Sequence, residues 1–114
     1  MRYALLIFVK PDSYDGLSDD DRRAITAEYM EIAGDARVQS GAELRPPATA
    51  TTVRVADGEM LTTDGPFADT KEVFGGWFVF EADDLDAALE VAGRIPAVRM
   101  GGSVEVRPIA EQSR

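Results

Sequence analysis

Tyr3 to Val9 is an unbroken apolar run, closed by Lys10-Pro11-Asp12. A run of this length bounded by turn residues predicts a strand buried on both faces. Ser18 then reads as an N-cap, and Asp19, Asp20 and Asp21 suit the positive end of a helix dipole. Ile25, Tyr29, Ile32, Ala33 and Ala36 recur at helical spacing, so a helix is predicted over 18–40, with Gly41 placed to stop it. Gly34 weakens that helix locally. Pro46-Pro47 punctuates the chain. Thr51 to Ala56 and Glu59 to Thr63 flank Asp57-Gly58, a dipeptide that favours a two-residue hairpin turn. That turn fixes the register: Ala56 opposite Glu59, Val55 opposite Met60, Val53 opposite Thr62 and Thr51 opposite Asp64. Val53, Val55, Met60, Thr62 and Asp64 then share one face.

Val73 to Phe80 forms a second doubly apolar strand, in which Gly75-Gly76 suggests a bulge or close backbone contact. Asp83 or Asp84 caps a second helix, predicted to turn Leu85, Ala88, Leu89 and Ala92 inward and to be closed by Pro96. After Gly101-Gly102, the segment Ser103 to Pro108 alternates, with Val104 and Val106 on one face and Glu105 and Arg107 on the other. Strand, helix, hairpin, strand, helix, strand suits an α+β sandwich of ferredoxin-like type with an added β-hairpin. Two helices cover one sheet face only. The doubly apolar strands demand cover for the other, and a second copy of the sheet supplies it, so a homodimer is expected.

Composition narrows the chemistry. At 114 residues with 45% apolar content the chain is one domain. A net charge of −9 opposes nucleic acid, and the basic residues form no stripe. There is no cysteine and no histidine, which excludes disulfides, thiol nucleophiles, His-based triads and Cys or His metal sites. No metal and no cofactor are expected. The Asp19-Asp20-Asp21 trio lacks the alternating ligands and glycine of a calcium loop, and neither glycine pair makes a phosphate-binding fingerprint. The opening apolar run is too short for a signal peptide and no run reaches membrane-spanning length, so a cytoplasmic location is expected.

The segment from Asp64 to Glu72, Asp-Gly-Pro-Phe-Ala-Asp-Thr-Lys-Glu, packs a turn, an aromatic and charges between two strand-like runs. Asp64 ends the apolar hairpin face. It is read either as a turn cap, as a ligand contact, or as a catalytic acid/base whose pKa desolvation would raise. Arg54 and Arg107 can clamp an anionic substrate or pair with Glu72 and Glu105, the commoner arrangement. Lys71-Glu72 reads as a solvated pair. Tyr29 and Trp77 can line a pocket, although aromatics at such spacing more often belong to a core.

These residues resemble the YCII-related proteins, in the branch named for its Asp-Gly-Pro-Phe motif. The resemblance rests on Met1 to Ile7, Pro46 to Arg54, Asp64 to Glu72, Gly75-Gly76 before an aromatic, and Val104 to Pro108. It implies a ferredoxin-like domain that dimerises into an α+β barrel, as in muconolactone isomerases, and no settled activity. It also implies an association with extracytoplasmic-function sigma factors. Relatives carry a His and an Asp, proposed as an acid/base pair, at positions aligned near Tyr29 and Ile95. Neither residue replaces that couple at neutral pH. The reading is therefore a small-molecule-binding homodimer with its cavity between the sheets, near Asp64, Tyr29 and Arg54. The alternatives are a cofactor-free isomerase- or lyase-like enzyme using Asp64, and a regulatory partner of a sigma factor.

Overall fold

The computed structural model describes residues 1–66 and 71–111. Phe67, Ala68, Asp69 and Thr70, in the middle of the Asp64 to Glu72 segment, and Gln112, Ser113 and Arg114 lie outside the described residues. The elements run β1 (Arg2–Val9), α1 (Asp19–Ala33), β2 (Val38–Glu43), β3 (Thr51–Ala56), β4 (Glu59–Asp64), β5 (Val73–Glu81), α2 (Leu85–Arg94) and β6 (Ser103–Pro108). β2, β5, β1 and β6 form, in that order, one antiparallel sheet, and β3 and β4 form a separate two-stranded hairpin. With the hairpin set aside, the chain follows a split βαβ order.

The sheet's two faces differ. Tyr3, Leu5 and Ile7 of β1 and Phe78 and Phe80 of β5 point to one side and pack with Ile32, Ala88, Val91, Ala92 and Ile95. That is the core. Ser18 caps α1 by accepting from the Asp21 amide at 3.0 Å, and Asp84 caps α2 by accepting from the Ala87 amide at 2.9 Å. The hairpin has the predicted register from Thr51 opposite Asp64 to Ala56 opposite Glu59. Its turn places Asp57 at φ 51° and Gly58 at φ 79°, both left-handed, as a tight hairpin corner of this kind requires. The bulge is also present: Ile7 faces Gly76 and Phe8 faces Phe74, leaving Gly75 as the extra residue.

The first helix is shorter than predicted. It ends at Ala33, with Gly34 as its C-cap, and Ala33 and Ala36 are exposed rather than inward. Asp35 stops it with a fork to Arg37: its Oδ1 accepts from the Arg37 amide at 2.9 Å and from Nε at 3.0 Å, and its Oδ2 from an Nη at 2.8 Å. These bonds hold the Asp35 carboxyl down at about 2. The Arg37 guanidinium in turn lies over the Phe80 ring, 4.8 Å from its centroid. The chain is thus turned into a strand the sequence pattern did not reveal. Gly41 sits inside β2, where a Cβ would come within 2.7 Å of the Trp77 carbonyl and 2.6 Å of the Phe78 ring. It is a packing glycine and not a helix stop. In α2 the buried stripe is Ala88, Val91 and Ala92, while Leu85 and Leu89 are about half exposed, contrary to the predicted stripe.

Candidate functional site

The structure distributes the predicted site residues over three places. Trp77 and Arg107 share the sheet face opposite the core. Alternation puts Ala4, Leu6 and Phe8 of β1, Phe74, Trp77 and Val79 of β5, and Glu105 and Arg107 of β6 on that face. Trp77 lies between Leu6 and Ala42 as cross-strand neighbours. Phe8 and Phe74 are in tilted contact with their rings 5.5 Å apart. Leu6, Trp77 and Val79 are half-buried by their neighbours in the sheet. The helices contribute their buried residues to the other face.

At one edge of this open face, Phe8, Lys71, Glu72, Ser103 and Glu105 line a cleft of about 380 Å³. Ser103 donates its hydroxyl to Glu72 at 2.6 Å. Arg107 pairs with Glu105 at 3.7 Å, both exposed, which is the ion-pair reading of that arginine. Phe8 gives this cleft an aromatic floor on which a flat ring can stack, while at its rim Lys71 stands with the Glu72 and Glu105 carboxylates and the Ser103 hydroxyl is already committed to Glu72.

Asp64 and Arg54 are on the hairpin, on opposite faces of it. Asp64 is exposed and ends β4. Its corner is closed by Gly65, whose amide donates to the Ala50 carbonyl at 2.7 Å, and by Thr52, whose hydroxyl donates to the Gly65 carbonyl at 2.8 Å. Among the described residues, those groups close the corner. Arg54 faces Leu61 across the hairpin.

Tyr29 lies on the helical side, packed against the core. Burial, and next Tyr14, push its phenol up to about 12, with the Ala97 amide acting in the opposite sense. Tyr14 is itself raised, first by burial and then by Glu43, and Arg22 lies over its ring at 5.9 Å. The sequence pattern did not single out Tyr14; an aromatic among Asp12, Ser13, Asp15 and Gly16 in an otherwise polar loop was the available signal. Nearby, Glu28, Glu31, Ile32, Arg94 and Arg99 line a second cleft of about 330 Å³. Three of its four charged residues are in ion pairs, Arg99 with Glu28 and Arg94 with Glu90 outside the lining. Tyr29 is therefore not brought together with Trp77, Arg107, Arg54 or Asp64 within one chain. No group of three or more Asp and Glu side chains placed to hold a metal occurs among the described residues. Among them, too, no helix is long and apolar enough to cross a membrane.

In its fold the chain is similar to the 5-chloro-2-hydroxyhydroquinone dehydrochlorinase TftG of Burkholderia phenoliruptrix AC1100, solved in complex with 2,5-dihydroxybenzoquinone. The TM-score is 0.54 over 98% of this chain and 96% of that one, at 18% identity. In sequence it is 38% identical over 91 residues to an uncharacterised protein of Rhizobium meliloti (strain 1021), spanning 79% of this chain and 71% of the relative. The YCII-related domain matches residues 1–113. The chain belongs to the YCII-related family.

Proposed function

We propose that the protein is a homodimer of ferredoxin-like units, closing as an α+β barrel around a cavity that binds a small aromatic molecule. The observation that carries this reading is the apolar open face of Leu6, Phe8, Phe74, Trp77 and Val79. Phe74 is 41% exposed and the other four are only partly covered by their sheet neighbours, so each forgoes part of the about 1.5–3 kcal/mol that full burial gives a large apolar side chain. The chain exposes 8052 Å², whereas a compact monomer of its 12.4 kDa exposes about 6,100 Å². The excess, about 1,900 Å², is more than twice the roughly 800 Å² that each partner contributes to a standard interface. A second copy matches that demand, because it brings an identical apolar face.

The ligand class follows from the floor and its rim. A phenol or quinone ring suits Trp77, Phe8 and Phe74, and the quinone held by the dehydrochlorinase of similar fold supports that choice. Tyr29 packs on the helical side of the sheet, away from this face, and is held protonated at neutral pH, so it supplies no base there, which favours binding over the acid/base chemistry of relatives with a His and an Asp. The enzyme reading then rests on Asp64 alone. We also place the chain in the branch named for Asp-Gly-Pro-Phe, on the strength of Asp64 to Phe67 in its sequence.

Trp77 is the sole tryptophan and supplies the test. Its emission is expected to shift to the red on dilution through dimer dissociation, and to be quenched saturably by 2,5-dihydroxybenzoquinone at dimer-forming concentrations. Emission already typical of solvated indole at high concentration, with quenching that grows linearly and never saturates, contradicts the proposal.

A further inference from the structure

The hairpin carries apolar residues that the chain does not use. β3 and β4 make their substantial contacts with each other and not with the main sheet or the helices. Val53, Val55 and Met60 are 58%, 72% and 70% exposed. The register puts all three on one hairpin face together with Thr62 and Asp64. A two-stranded hairpin standing by itself in water is marginal, and a row of exposed β-branched and thioether side chains along it is a surface awaiting a partner.

We infer that this hairpin is a dimerisation arm: the face bearing Val53, Val55, Met60 and Asp64 packs against a second copy of the chain. The inference rests on the homodimer reading above. The occupant is a second copy because the excess exposed surface exceeds what one sheet-to-sheet patch of standard size removes. Part of it belongs to the arm. The shape agrees, since the chain measures 49 × 45 × 19 Å, with a radius of gyration of 16.2 Å where a compact chain of this length has about 13 Å.

The consequence for the site is specific. In one chain Asp64 stands in water. In the dimer the partner supplies the wall it lacks, so a carboxylate at the base of an apolar arm becomes enclosed, and the cavity is composite. Arg54 and Leu61, on the opposite face of the hairpin, stay outside that contact.

The absence of native cysteine makes thiol labelling a clean test. Thr62→Cys lies on the packed face between Met60 and Asp64, and Thr63→Cys lies on the other; both positions are exposed in the single chain. At concentrations where light scattering reports a dimer, labelling of the Thr62→Cys protein is expected to slow at least tenfold relative to its dilute, monomeric rate, and that of Thr63→Cys to change less than twofold. A dimer in which Thr62→Cys reacts at its monomeric rate overturns the arm and leaves the sheet-to-sheet dimer standing. Equal protection of both positions overturns the assignment of the face. A monomer at every concentration overturns both the arm and the dimer. As a second variant, Val55→Glu combined with Met60→Glu changes only exposed side chains and is expected to raise the dimer dissociation constant at least tenfold. Unchanged dissociation in that variant also overturns the arm.

Discussion

At the residue level, Tyr29 shows how position and chemistry separate. Its spacing with Ile25 and Ile32 marked it as inward-facing, and it does pack against the core. What spacing could not show is Tyr14 folding over from the preceding loop and, with burial, pushing the phenol up to about 12. The shift has a definite sign. Folding favours the protonated phenol, so the stability it contributes is fully present below pH 10 and is lost as the pH rises from there through 12. The Tyr29 ring-carbon resonance, assigned by its disappearance in Tyr29→Phe, is therefore expected to titrate about two units above a free tyrosine in NMR. A midpoint near 10 in the folded protein contradicts the burial assigned to this phenol. Asp64 and Arg107 make the complementary point. Their residue types were legible as candidates, yet Arg107 is engaged with Glu105, and Asp64 stands exposed at the end of β4.

Among the elements, the hairpin was legible to the residue because its determinants are local: Asp57-Gly58 sets the turn and the turn sets the register. β2 was not. Val38-Gln39-Ser40-Gly41-Ala42-Glu43 is mostly polar and mostly exposed, and it becomes an edge strand only because β5 offers it a ladder of backbone partners. Helical spacing ran on past Ala33 for the same reason, since the Asp35 to Arg37 fork and the contact of Arg37 with Phe80 are tertiary features. Leu85 and Leu89 misled in the other direction, as α2 is short and its small residues are the ones that seat against the sheet. Gly41 tests the placement of β2 directly. In Gly41→Ala the new methyl meets the Trp77 carbonyl, a backbone atom that cannot swing aside. Unfolding by urea is expected to show a loss of about 1–3 kcal/mol, the usual cost of overpacking. A gain in stability, as expected for a helix-terminating or solvent-facing glycine without positive φ, contradicts the placement of β2.

For the whole molecule, the sequence carried the asymmetry of the sheet: helices enough for one face, apolar side chains on both. A body only 19 Å across its thinnest dimension is what one layer of helices on one sheet provides, and a second layer is what the open face calls for. The net charge of −9 on each copy works against pairing, so the apolar area must outweigh a repulsion that physiological salt screens beyond about 8 Å. The central claim, that a second copy covers the open face, is tested most directly by multi-angle light scattering across a concentration series at 0.15 M salt, a strength at which that screening holds. The predicted result is a mass twice that of the 12.4 kDa chain at micromolar concentration, falling toward the single-chain value on dilution and in Leu6→Asp, which places a charge at the centre of the open face. A mass of 12.4 kDa maintained into the high micromolar range contradicts the account.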